Sequence, residues 1–300
     1  MTAEKSPAGI ERFDVQVYDS RGFSRTSAKI IKEIPLEIFL NEQRVVTIAC
    51  TGNHLKELAV GFLRTEGIIR DLPHLEKIEV SDDLCTVHVY TGEICLFPSA
   101  TSTSKIISSS GAQVRRSEGM PPYPAPRGVD PSVRLNSEEG KEGFSSPFIA
   151  PEKASSLMES LLHSSYLHNT THGTHCSALA DSNGILVLRE DIGRHNTIDM
   201  LCGYALLKGI DCSDKIILTT GRVSSEIVNK IGKLGAPVII SHSAPTSRAI
   251  HLLREAGVTL IGYVRGGKMN VYSQERRAGG CRQKTYISTL PIRENRSVTR

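Results

Sequence analysis

The chain has 300 residues, 39% hydrophobic and 23% charged, with no tryptophan and a net charge of +4 from 36 Lys plus Arg against 32 Asp plus Glu. Such a length supports one large domain or a domain with a smaller lobe, and the composition is far from the disordered or collagenous extremes. So slight a basic excess, with no long basic run, gives no footprint for nucleic acid, although an anionic small ligand remains compatible with it. The seven cysteines, at 50, 85, 95, 176, 202, 212 and 281, are odd in number and contain no CxxC pair, which argues against a disulfide framework and a four-cysteine zinc site. No stretch reaches the roughly eighteen uncharged apolar residues of a membrane span and the N-terminus has no signal-like apolar segment, so a cytoplasmic protein without membrane contact is expected.

In chain order, residues 1–33 read as an N-terminal extension. IPLEIFLNEQRVVTIAC (34–50) has β-branched, partly alternating runs on both sides of Asn41-Glu42-Gln43, the pattern of a hairpin. Thr51 or Asn53 can cap the following helix, HLKELAVGFLRTEGII, which places Leu55, Leu58, Ala59, Phe62 and Leu63 on one face and Gly67 at its end. KIEVSDDLCTVHVYTGEICLF (77–97) reads as a second pair of strands, giving an N-terminal lobe over 34–97. From 98 to 150 the pattern gives way to Ser, Gly, Pro and charge, and the density of proline makes this a loop or linker.

The second half differs in kind. PEKASSLMESLLHSS (151–165) carries Leu157, Met158, Leu161 and Leu162 on one helical face. A His-rich turn follows, then a strand in SALADSNGILVLRE, a helix from about Asn196 to Lys208, the strand KIILTT and the helix SSEIVNKIGKLG. The strand PVIISHS, the helix TSRAIHLLREAG, the strand VTLIGYVR and a short strand MNVYS complete an α/β domain over 151–280, with a tail at 281–300. Strands alternating with helices predict crossover units, a largely parallel sheet and helices on both faces, with ligands gathered beyond the carboxyl ends of the strands.

Four polar segments fall at those ends: REDIGRHNTID (189–199), TTGRVSSE (219–226), SHSAPTSRA (241–249) and VRGGKMNVY (264–272). Gly221 allows close backbone approach, Ser224 or Ser225 can cap the next helix, and Ser243 and Thr246 repeat the arrangement. Arg222, Arg265 and Lys268 add charge suited to phosphate, so together the segments point to a phosphorylated or nucleotide-like ligand. Glu190, Asp191, Arg194 and His195 form either an acid-base group or, more simply, an ion-pair network that orders the loop with Asn196. His168, His172, His175 and Cys176 invite a metal, but H-x2-H-C is not a zinc spacing and neighbouring His175 and Cys176 point to opposite faces of a strand, so no metal is expected and His175 is read as lining a pocket.

The series GTHCSALADSNGILVLREDIGRHNTID, TTGRVSSEIV, SAPTSRAI and GVTLIGYVRGGKMNVY, with PLEIFLNE and ELAVGFLRTEGII upstream, resembles the FdhD family of formate dehydrogenase accessory proteins over roughly residues 34 to 276. The resemblance implies a cytidine-deaminase-like three-layer αβα sandwich with a smaller N-terminal α+β lobe, in a homodimer. It implies sulfurtransfer: sulfur taken from a cysteine desulfurase as a persulfide and passed to the molybdenum cofactor, in its bis(molybdopterin guanine dinucleotide) form, for formate dehydrogenase. By position it assigns cofactor binding to Val264, Arg265, Gly266, Gly267, Lys268 and Met269, makes a guanine nucleotide a mimic of that cargo, and leaves His175, Asp191, Arg194, His195, Arg222 and Ser224 as further pocket residues. The zinc signature of true deaminases is absent. One departure is sharp: SSSGAQV puts Ser110 and Gln113 where the family carries two cysteines, the first of them its persulfide carrier. A hydroxyl cannot hold sulfane sulfur, which needs a thiolate that attacks and leaves readily. Three readings follow: a non-catalytic paralogue that binds cofactor or dehydrogenase, a relay through another cysteine such as Cys176 beside His175, or cysteines replaced by engineering.

Overall fold

The computed structural model describes residues 9–69, 75–92, 106–107, 148–275 and 278. Strands β1 (Ile10–Asp19) and β2 (Gly22–Ile31) form an antiparallel hairpin in the region read from sequence as an extension. Its alternation is present, with Phe13, Val15 and Val17 facing Ala28, Thr26 and Ser24, but arginine, aspartate and serine interrupt it too often to give an apolar run.

Strands β3 (Ile34–Leu40) and β4 (Gln43–Cys50) make the expected hairpin. Asn41 and Glu42 both have positive φ, 45° and 64°, as a two-residue hairpin turn requires. Helix α1 (Leu55–Thr65) follows, its N-terminus at His54 without a side-chain cap. The anticipated cap is otherwise engaged: the Thr51 hydroxyl donates to Asp191 at 3.0 Å, a stronger call on it than the helix end. With β5 (Leu75–Val80), β6 (Thr86–Thr91) and β7 (Ile106–Ile107), the first lobe is a sheet of order β5-β6-β3-β4-β7. Leu36, Ile38, Leu40 and Ile48 of the sheet and Leu58 and Leu63 of α1 are fully buried in one core.

The second half comprises α2 (Pro151–Ser164), α3 (Tyr166–Thr171), β8 (His175–Ala180), β9 (Ile185–Asp191), α4 (Arg194–Lys208), β10 (Ile216–Thr219) and α5 (Ser225–Leu234). It ends with β11 (Val238–Ser241), α6 (Ser247–Glu255), β12 (Thr259–Arg265) and β13 (Lys268–Ser273). The sheet order is β13-β12-β11-β10-β8-β9, and it is mixed: β10, β11 and β12 run parallel, whereas β8, β9 and β13 join in antiparallel pairs. The expectation of a largely parallel sheet failed where two turns were too short to carry a crossover. SALADSNGILVLRE is two strands, because Asp181 Oδ1 accepts from Asn183 N at 2.7 Å and Gly184 N at 3.2 Å and folds the chain back. Gly266 and Gly267, at φ 53° and 73°, do the same between β12 and β13.

Alternate residues of this sheet enter different cores. Cys176, Ala178, Leu218 and Ile240 pack with α2, and Leu179, Ile217, Ile239 and Leu260 pack with α4, α5 and α6. The result is a three-layer αβα sandwich with a smaller α+β lobe docked through α1 against α4. That crossing is close because it is glycine on both sides: a Cβ on Gly61 would lie 1.7 Å from Asp199 O, and one on Gly203 1.9 Å from Glu57 O. Beside it Lys230 Nζ reaches Asp199 Oδ1 at 2.9 Å, Glu66 Oε1 at 3.0 Å and Thr65 Oγ1 at 2.9 Å, and Arg189 grips Glu57 at 2.5 and 2.8 Å. The lobes are therefore held as one unit by buried charge as well as by apolar surface.

Candidate functional site

The parallel strands β10, β11 and β12 end on one edge at Thr219, Ser241 and Arg265, and the antiparallel pairing brings the first residue of β8, His175, and the last of β9, Asp191, to the same edge. A cleft of about 400 Å³ opens there, lined by His168, His172, Thr174, His175, Thr220 and His242 together with Leu162, Gly173 and Ile192. No carboxylate among the described residues lines it. Glu190 lies nearby, but its two oxygens accept the backbone N–H groups of Leu167, at 3.1 Å, and His168, at 2.8 Å, and so anchor α3. His172 ends α3 at φ 54° and turns the chain back into β8.

The imidazoles are placed by backbone. His168 Nδ1 is 2.6 Å from Thr174 O, and since a carbonyl only accepts, Nδ1 carries the hydrogen. His242 follows β11, its N–H bonded to Thr219 O at 2.9 Å and its carbonyl accepting Arg265 Nε at 3.0 Å. Burial, followed by Arg194 and His168, lowers the pKa of His175; burial, followed by Arg265 and His168, lowers that of His242. Thr174 Oγ1 is buried without a hydrogen-bond partner among the described residues. The edge is thus an imidazole-rich concavity with cationic flanks, suited to an anionic or polar ligand. No group of three or more His, Cys, Asp or Glu among the described residues is arranged to hold a metal ion.

The other candidates from the sequence are not gathered around this cleft. Asp191 is buried and accepts from Thr51 N, Thr51 Oγ1, Gly193 N and Asn196 Nδ2 at 2.6 to 3.1 Å, tying the smaller lobe to the start of α4. Arg194 makes no ion pair with Asp191; its stem lies against Gly221, where a Cβ would come within 2.8 Å of it, and its Nε is buried without a partner among the described residues. Ser224 accepts from Ile227 N and caps α5, as Thr246 caps α6, and Arg222 is exposed. His195 turns toward α5, its Nε2 3.1 Å from Glu226 Oε2 but off the geometry of a hydrogen bond.

Burial, with Arg194, Lys230 and His175 adding to it, pushes the His195 imidazole from 6.5 to about 3. This group is neutral when folded and binds a proton more readily when unfolded, so its contribution to stability is complete above about pH 6.5 and is lost as pH falls toward 3. We expect denaturant midpoints to fall below pH 6.5 with up to about 1.4 kcal/mol lost per pH unit from this residue, and His195→Gln to flatten that slope in parallel titrations.

Val264 is buried, while Arg265, Gly266, Gly267 and Lys268 form an exposed turn with Met269 half-buried behind it. Arg265 lies 5.0 Å over the Tyr263 ring, and Tyr263 is 48% exposed at a left-handed φ of 56°. Sequence reading passed over Tyr263, His242 and Thr174, since a tyrosine within a strand and polar residues in turns carry no periodic signal; only the position of each at a strand end points to it.

The sequence model of the FdhD/NarQ family matches residues 31–279. The chain belongs to the FdhD/NarQ family. It is 33% identical over 264 residues to the sulfur carrier protein FdhD of Bacillus subtilis (strain 168), covering 88% of this chain and 95% of that one. Against the protein of the same name from Listeria innocua the identity is also 33%, over 88% of this chain and 97% of the relative. A crystal structure assigned as a formate dehydrogenase accessory protein, from Desulfotalea psychrophila, superposes with a TM-score of 0.69 at 24% identity, over 90% of this chain and 99% of that one, and shows the same fold.

In this FdhD/NarQ chain Ser110 and Gln113, which the sequence resemblance sets against the family cysteines, lie outside the described residues, as do Cys95 and Cys281. Cys176 has no exposed surface, and burial with Glu190 nearby pushes its thiol to about 11. Burial likewise raises Cys50 and Cys202 to about 12 and Cys212 to about 11. Cys85 alone among the described cysteines is partly exposed, with Sγ 3.4 Å from Asp83 O. Thiols at 11 to 12 are protonated near neutral pH and are poor acceptors of sulfane sulfur.

Proposed function

We propose that this FdhD/NarQ protein is an accessory factor in formate dehydrogenase maturation that binds the molybdenum cofactor, in its bis(molybdopterin guanine dinucleotide) form, as cargo. The observation that carries the reading is the cleft at the strand ends, free of carboxylates among the described residues and joined through the Arg265 to His242 hydrogen bond to the Val264–Met269 turn that the family resemblance assigns to the cofactor. Arg265 and Lys268 supply charge for phosphate oxygens, and the exposed Tyr263 ring beside them offers a face on which a base can stack. The chain's task on this reading is to hold and orient the cargo and shield it from water.

The second half of the reading is what the family resemblance implies, and relatives named sulfur carriers support its sulfur-carrying part: a cysteine desulfurase upstream as sulfur donor, formate dehydrogenase downstream as recipient, and a homodimer in the cytoplasm as the working form. No helix among the described residues is long and apolar enough to cross a membrane. Serine at 110 removes the persulfide position, so we place this chain as a cargo-binding member without that relay. Relay through Cys176 has in its favour only the adjacent His175, and the buried thiol at about 11 opposes it.

Guanosine diphosphate tests the site. Isothermal titration should show binding, and Arg265→Ala with Lys268→Ala should weaken it at least about tenfold through loss of charge-assisted contacts, with the melting temperature little changed because both side chains are exposed. Equal affinity in the double variant would remove the assignment of this turn.

A further inference from the structure

We propose that the cleft between α3 and the ends of β8, β10 and β11 is a phosphoryl-binding site in which His168, His175 and His242 hold the oxygens and take up protons as the ligand enters. This deepens the preceding reading, from which it takes a phosphorylated ligand, and it assigns groups outside the Val264–Met269 turn.

Three observations carry it. First, the lining offers donors and, among the described residues, no carboxylate: Glu190 and Asp191, the acidic groups nearest in the chain, are both spent on backbone and side-chain N–H groups elsewhere. Second, Thr174 is only 5% exposed, lines the cleft, and leaves its hydroxyl oxygen without a partner among the described residues. A buried hydroxyl left unsatisfied is costly, so a ligand or water that completes it is favoured. Third, the tautomer of His168 is fixed. Its Nδ1 hydrogen is committed to Thr174 O, so Nε2 of the neutral ring is a bare acceptor. It can donate to a phosphoryl oxygen only after gaining a proton.

The surroundings make that uptake conditional on the ligand. Arg194 and His168 act on His175, Arg265 and His168 act on His242, and the His172 ring stands edge-on to His168 at 6.2 Å, so charging His175 or His242 without a ligand sets like charges together in a partly desolvated space. A dianion reverses the balance, because each imidazolium then faces an opposite charge. Proton uptake and binding are thus one equilibrium, and affinity rises as pH falls. No bond is made or broken: the protons come from solvent and return to it on release.

The test uses the full chain and inorganic pyrophosphate, titrated calorimetrically at pH 6 and pH 8 in two buffers of different ionisation heat. The expected result is binding with net proton uptake, in excess of that shown under the same conditions by His242→Gln and His168→Gln, and affinity reduced about tenfold in each variant. The titration of pyrophosphate itself is common to all three proteins and cancels in the comparison. His242 is a surface-turn residue, so its variant keeps the test open should His168→Gln fail to fold. No pyrophosphate binding, equal affinity and proton uptake in wild type and His242→Gln, or pyrophosphate bound only when zinc is added, would each overturn the proposal. Guanosine diphosphate binding that depends on Arg265 and Lys268 but not on the histidines would sink this inference and leave the function standing. Histidine-dependent pyrophosphate binding without guanosine diphosphate binding would do the opposite.

Discussion

Alanine at Gly61 is expected to lower stability by about 3 kcal/mol or more, at the upper end of what overpacking costs, because the new methyl meets backbone and not a side chain that can rotate away. The Cβ would stand 1.7 Å from Asp199 O, so α1 and α4 must separate, and the contact between the lobes separates with them. For a protein of this size the loss corresponds to a fall of roughly 6 to 12 °C in melting temperature. Gly203→Ala meets Glu57 O at 1.9 Å from the other side of the same crossing and should cost a similar amount. Once one methyl has parted the helices the second finds room, so the double variant should be less destabilised than the sum of the singles. Strict additivity in thermal or urea denaturation would show that the two glycines do not share one contact.

Lys230→Met is the second large effect. Lys230 is 8% exposed and Asp199 1% exposed, and Nζ bonds both Asp199 oxygens at 2.9 and 3.0 Å as well as Glu66 and Thr65. Desolvation alone would pull the ammonium down, but Asp199 and Glu66 outweigh it and raise its pKa, so the lysine is charged in the folded protein. Removing it strands the Asp199 carboxylate in the core beneath α1, at a cost of about 3–5 kcal/mol. Neutralising the partner should restore much of that: Lys230→Met with Asp199→Asn is expected to be clearly more stable than Lys230→Met alone in urea melts. A double variant no better than the single would mean that the lysine acts through packing on Phe62, whose ring lies 5.4 Å from Nζ, and not through charge.

The legible parts of the fold were those in which one period ran long enough to register. Helix α1 shows its stripe of Leu55, Leu58, Phe62 and Leu63, and β10, β11 and β12 are short unbroken apolar runs bounded by turns, as buried strands are. The hairpin β1–β2 was missed because exposed strands have no apolar face to fill. The β8–β9 turn, Asp181-Ser182-Asn183-Gly184, does carry turn residues, and reading one strand across it let the apolar runs on both sides outweigh them. The strand-end rule brought Asp191 and Arg265 to one edge, as the sheet order now shows, whereas His175 reaches that edge only through the β8–β9 reversal. It could not say which side chains turn into the cleft. His195 and Arg194 follow the helix away toward α5 and Gly221, whereas His242, unremarked in the sequence, enters it, because the direction of a side chain after a strand end depends on packing between layers that no local pattern encodes.

The central claim is that this chain keeps the family's cargo site while lacking its persulfide position. The most direct measurement is intact mass after incubation with a cysteine desulfurase and cysteine, on protein shown in the same preparation to bind guanosine diphosphate. The account predicts an unchanged mass with nucleotide binding retained. A mass increase of one sulfur atom, reversed by reductant and abolished in Cys176→Ser, would contradict it and place the relay on the buried strand β8.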